Sequence, residues 1–177
     1  NETGVVQPIN EIGRILSKTA IFFHVDAVQT MGKDIFYPKE NRISAFTASS
    51  HKFYGPKGTG FIFLDKNFLL KKQITGGHQE RNKRAGTENV AGIVGLGKAI
   101  EIANDNVMHN NGKLLNLRNY CIEQIKNRIP YIRINGDLNS RLPGNINISF
   151  LYVNGKDLVK LLAKKGICTS SGSACSS

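Results

Sequence analysis

Two short stretches concentrate the side chains that could do chemistry. In "AIFFHVDAVQ" an apolar run ends at Asp26, with Gln29 just past it. In "RISAFTASSHKFYGPKG" a second β-rich run ends at Ser49, Ser50, His51 and Lys52. Ligands of open parallel sheets gather beyond the carboxyl ends of the strands, so a carboxylate, an amide, hydroxyls, an imidazole and an amine would be aimed at one place. Each has a plainer reading alone. A strand-end Asp serves as a turn residue, and most of the 24 Lys and Arg are solvated. Together they match the needs of pyridoxal phosphate: a lysine for a Schiff base, a carboxylate that keeps the ring nitrogen protonated as an electron sink, and donors for the phosphate. Lys52, Asp26 and the pair Ser49 and His51 can supply those roles. Further on, "RAGTEN" sets Gly86 and Thr87 at the start of a long helix, where free N–H groups and the helix dipole favour an anion. Thr87 can equally be an N-cap.

The elements that must position these residues are legible in the pattern. "PINEIGRILSK" spaces Ile9, Ile12, Ile15 and Leu16 as an amphipathic helix with Pro8 near its start. The run ending at Asp26 shows little alternation and reads as a strand covered on both faces, which implies a parallel sheet. "RISAFTASS" and "TGFIFLD" read as two more strands separated by the turn "YGPKG". "ENVAGIVGLGKAIEIAN" reads as a helix whose glycines allow close packing. After the polar stretch "NDNVMHNNGK" a second unit is expected: a helix near Leu114 to Arg128, strands near Tyr131 to Asn135 and in "NINISFLYV", and the helix "GKDLVKLLAKKG". The fold class is α/β: part of a large domain, residues 1–110, with a mostly parallel sheet and helices, then part of a small α/β domain, residues 111–177.

Composition narrows the function classes. With 177 residues, 40% hydrophobic and 21% charged, the chain is of ordinary globular type. No apolar run is long enough for a membrane helix and no signal peptide is visible at the start. Three cysteines without a CxxC pair favour neither a disulfide framework nor a four-cysteine zinc site, so no metal is expected and a reducing intracellular compartment, bacterial cytoplasm or organelle matrix, is. The net charge of +11 is spread through every segment, which argues against a nucleic-acid partner. Starting at Asn1 and stopping in a polar Ser/Gly loop, the chain reads as cut at both ends.

The runs "NETGVVQPI", "HVDAVQTMGK", "SSHKFYGPKGTG", "GGHQERNKRAGTENVAGIVGLGKAIE" and "SSGSACSS" lie in order from Asn1 to Ser177. In this order they resemble the cysteine desulfurases of the first group, pyridoxal-phosphate enzymes of the class V aminotransferase family. The resemblance implies removal of sulfur from L-cysteine, giving L-alanine and a persulfide on Cys175. Lys52 would be the Schiff-base lysine and then the base at the substrate Cα. Asp26 would face the pyridinium nitrogen, and Gln29 would donate to the phenolic oxygen. Ser49 and His51 would hold the phosphate of their own subunit, and Thr87 that of the neighbour in a homodimer. Asn1 would lie beside the substrate carboxylate and the ring. Cys121 and Cys168, on apolar segments, read as packing residues. A sulfur-acceptor protein such as an iron–sulfur scaffold would be the partner, or a carrier for tRNA thiolation.

The chain departs from the family in lacking three positions. The ring-stacking residue and one further phosphate hydroxyl would lie before Asn1, and the arginine that clamps the substrate carboxylate would lie after Ser177. Thr3 stands where an aliphatic residue is usual. The rival readings are a selenocysteine lyase or another class V enzyme, and a non-catalytic scaffold.

Overall fold

The computed structural model describes residues 1–35 and 37–172. Two compact units divide it: Pro8–His109, and a unit joining Asn1–Gln7 to the chain from Asn110 onward.

In the Pro8–His109 unit, helix α1 (Ile9–Leu16) is followed by strands β1 (His24–Asp26), β2 (Ala45–Ser49) and β3 (Gly60–Leu64). The sheet order is β1-β2-β3, with β1 parallel and β3 antiparallel to β2. The sheet is therefore mixed. Ala27, Ile43 and Phe46 form its buried core, with Ile9, Phe23, Val25, Met31, Phe61 and Phe63 packed against them. Phe46 stacks on Phe63 at 5.3 Å and meets Phe61 edge-on at 5.5 Å, so aromatic pairing across β2 and β3 reinforces the register.

Strand β1 is shorter and barer than its sequence suggests. His24 and Asp26 are exposed and Val25 is half-buried, so neither face is fully covered. The reason lies in its ends: Phe23 O accepts from Ser44 N and Ala45 N, while beyond Asp26 the Thr30 and Met31 N–H groups both turn back to Ala27 O. Ile21 and Phe22, counted into the run by hydropathy, stay exposed, and Phe22 stacks on Phe68.

Next come a short turn of helix, α2 (Gln79–Asn82), and the long helix α3 (Val90–Arg128). Three consecutive residues of this segment, Glu80, Arg81 and Asn82, have positive φ, a conformation L-residues adopt at a cost. Lys72 Nζ holds the turn by donating to Gly77 O and Asn82 Oδ1, each at 2.8 Å.

The expected break in "NDNVMHNNGK" does not occur: α3 runs unbroken for 39 residues. No proline interrupts it, Asn106 Nδ2 bonds back to Ile102 O, and a buried stripe continues through Val107, Arg118 and Ile122. Tertiary burial along that stripe outweighs the weak propensities of Asn and Gly.

In the second unit, β4 (Ile132–Ile134) and β5 (Ile148–Phe150) pair antiparallel, and α4 (Gly155–Lys164) follows. Asn154 caps α4, its Oδ1 accepting from Lys156 N and Asp157 N. Residues 1–7 are stitched to this unit. Val6 N donates to Ser140 O, Leu142 N to Gly4 O, and the Asn145 and Asn147 amides to Glu2 O. Buried Arg141 braces the same corner through Asp137 O, Asn145 Oδ1 and Asn135 O.

Candidate functional site

Because β1 and β2 run parallel with Asp26 beside Thr47, their carboxyl ends lie at one edge of the sheet. Asp26 ends one strand and Ser49 the other, and the segments that leave them carry the remaining candidates. Asp26 Oδ1 accepts from Val28 N at 2.9 Å, which orients the carboxylate and leaves Oδ2 for another group.

Lys52 rides on a single 3₁₀ turn, Ser50–Phe53, that is fastened at both ends. Ser50 N donates to Thr59 O and Gly55 N to Ser50 O, both at 3.0 Å. Phe53 is buried and anchors the turn, Tyr54 leaves it in the left-handed region with its side chain fully exposed, and Lys52 is half-buried. His51 Nδ1 and Ser49 Oγ are 2.9 Å apart. With the proton on Nδ1, the imidazole donates to Ser49 and leaves the hydroxyl hydrogen for an anion. Ser50 Oγ, fully buried one residue on, has no hydrogen-bond partner among the described residues.

The first half of α3 forms the platform under this turn. Gly92 lies against Thr59 and Gly95 against Pro56, while Ala99 approaches Gly55. These positions share one helix face. A Cβ at Gly95 would sit 2.7 Å from Pro56 Cγ, so only glycine lets the backbone of α3 come this close.

Gln29 lies in the turn after β1, and Lys33 Nζ reaches its Oε1 at 3.4 Å. Burial pushes the Lys33 amine below the usual lysine range, and the nearby positive charge of Lys52 adds to the shift. Gln29, Lys33 and Lys52 thus belong to one cluster. Lys33 was not legible as a site residue; its only sequence signal is its place four residues after Gln29.

Thr87 is exposed in the loop before α3 and does not cap it. Asn89 is the cap, accepting from Gly92 N at 3.1 Å. Asn1 is exposed and belongs to the other compact unit. Cys121 is half-buried on α3, whereas Cys168 is exposed, contrary to its expected packing role, because α4 has already ended and Gly166 has turned the chain. Cys175 lies outside the described residues.

The aminotransferase class V family model matches residues 1–177. The chain belongs to the class V aminotransferase family. It is 48% identical over 179 residues to a cysteine desulfurase IscS of Clostridium botulinum strain Hall, covering 100% of this chain and 45% of that relative. The X-ray structure of a NifS-like protein from Rickettsia africae ESF-5 shares its fold with a TM-score of 0.93 at 34% identity, covering 97% of this chain and 48% of the other. A structure of SspA in complex with cysteine gives a TM-score of 0.74 at 31% identity, covering 98% of this chain and 47% of the other. The chain spans about half the length of the class V relatives it matches.

Proposed function

We propose that this chain carries the lysine-bearing part of a cysteine desulfurase that works with pyridoxal 5'-phosphate. The observation that carries the reading is the convergence of Asp26, Gln29, Ser49, His51 and Lys52 at the carboxyl ends of two adjacent parallel strands. The donor set fits the cofactor. A spare carboxylate oxygen on Asp26 suits a ring nitrogen, the Ser49 and His51 pair suits a phosphate, and a half-buried amine on a fastened turn suits covalent attachment.

When bound, the cofactor supplies an electron sink for carbanion chemistry. Lys52 would hold it covalently and would take the proton from the substrate Cα. Asp26 keeps the ring nitrogen protonated. Gln29 donates to the phenolic oxygen, and Asn1 flanks the substrate carboxylate. Cys175, as thiolate, attacks the sulfur of L-cysteine: its S–S bond forms as the substrate C–S bond breaks, leaving a persulfide on Cys175 and, after protonation, L-alanine. Thr87 serves the phosphate of the second subunit in a homodimer. A sulfur-acceptor protein such as an iron–sulfur scaffold then takes the persulfide sulfur. Among the described residues no helix is long and apolar enough to cross a membrane.

The test is a visible spectrum of the full-length protein with added pyridoxal phosphate. A band that Lys52→Ala abolishes supports the reading, and a colourless wild type ends it. Cys175→Ser should retain the band yet release no sulfide from cysteine; normal sulfide release would refute the role of Cys175.

A further inference from the structure

A glutamine side chain has two unlike ends: its oxygen only accepts and its NH₂ only donates. Only the donor end suits an anionic phenolic oxygen, so a glutamine serving the ring needs a defined amide orientation. Lys33 supplies one. An ammonium can only donate, and Lys33 Nζ lies 3.4 Å from Gln29 Oε1, which sets the oxygen toward Lys33 and leaves Nε2 on the opposite side of the amide. The backbone fixes the pair. Met31 N bonds Ala27 O at 2.9 Å, Lys33 N bonds Thr30 O at 2.9 Å and Asp34 N bonds Thr30 O at 3.0 Å, closing two successive turns between Ala27 and Asp34. Gly32 (φ 75°) lies in the second, so close to Phe53 that an added Cβ would sit 2.9 Å from that of Phe53. The segment bearing Gln29 and Lys33 therefore packs directly on the residue that follows Lys52.

We propose that Lys33 is a positioning residue for the cofactor ring: by holding Gln29 Oε1 it presents Gln29 Nε2 as the donor to the phenolic oxygen. The inference rests on the pyridoxal phosphate reading given above. It also explains why a second lysine amine is kept half-buried beside Lys52, where burial and the neighbouring charge both disfavour its protonated form.

The test is a set of cofactor affinities, measured by visible absorbance titration of the full-length protein for wild type, Gln29→Ala, Lys33→Met and the double variant. Each single variant should weaken binding about tenfold, the worth of one hydrogen bond to a charged group. The double variant should be no weaker than Gln29→Ala alone, because Lys33 acts through Gln29. If Lys33→Met costs the same factor in the Gln29→Ala background, or nothing in the wild type, the proposal is overturned. Lys33→Leu is the second apolar replacement should Lys33→Met not yield folded protein. If Gln29→Ala binds as wild type while Lys52→Ala still abolishes the band, this inference fails and the cofactor reading stands. A wild type that never develops the band ends both.

Discussion

Gly95 and Gly97 lie two residues apart on α3 in different surroundings, and the same substitution at each isolates what the platform under Lys52 is worth. Replacing a helix-interior glycine with alanine gains up to about 1 kcal/mol from backbone entropy and propensity. At Gly97 nothing among the described residues outside the helix's own backbone lies within 4 Å of the added Cβ, so Gly97→Ala should realise that gain in full. At Gly95 the Cβ would stand 2.7 Å from Pro56 Cγ and 3.2 Å from Cδ. Carbon atoms pack best at roughly 3.5–4.0 Å, and a proline ring cannot rotate aside. Overpacking of this kind costs about 1–3 kcal/mol, so Gly95→Ala should range from neutral to about 2 kcal/mol destabilising. The difference between the variants, about 1–3 kcal/mol in favour of Gly97→Ala, cancels the shared helix term. Urea unfolding of the full-length protein stripped of cofactor measures it. Equal midpoints, or a more stable Gly95→Ala, would show that α3 does not press on the Pro56 loop.

Three further predictions concern single groups. Ser50→Ala removes a fully buried hydroxyl without a partner among the described residues and should stabilise by about 1 kcal/mol; a lowered midpoint would mean that the hydroxyl is hydrogen-bonded in solution. Asn89→Ala deletes the cap of α3 and should cost about 1 kcal/mol, read from the same unfolding curves, with no change refuting the cap. The Asp137 carboxyl is held below the usual carboxylate range, chiefly by backbone N–H bonds from Asn139 and then Ser140. A depressed carboxylate stabilises fully above its unfolded value near about 3.9 and loses that contribution as pH falls through its lower folded value. Stability measured downward from about pH 5 should therefore fall less steeply in Asp137→Asn than in wild type, and parallel curves would contradict this.

The residues that define the site edge were readable because strand ends announce themselves: apolar β-rich runs stop at Asp26 and Ser49, and glycine and proline mark the turn after Lys52. Helices α1 and α4 were readable from apolar spacing. The continuity of α3 was hidden because its middle is locally polar, and what carries it through is burial of Val107 and Arg118, a tertiary fact. The brevity of β1 was hidden for the converse reason: hydropathy cannot say which apolar residues find a neighbour, and Ile21 and Phe22 stay exposed. Lys33 escaped notice because one lysine in a basic chain carries no signal until the turn places it against Gln29. Thr87 and Asn89 show the limit of capping rules, since both are acceptable caps and only the start of α3 chooses between them.

The seams that tie Glu2 and Gly4 to Asn145, Asn147 and Leu142 join residues about 140 positions apart, 145 in the longest case. During synthesis residues 1–7 must wait for partners made more than a hundred residues later, whereas Pro8–His109 is continuous and can close on itself meanwhile. Assembly is thus ordered by the route of the chain: the lysine-bearing unit first, with residues 1–7 docked only once Ser140 to Asn147 have been made.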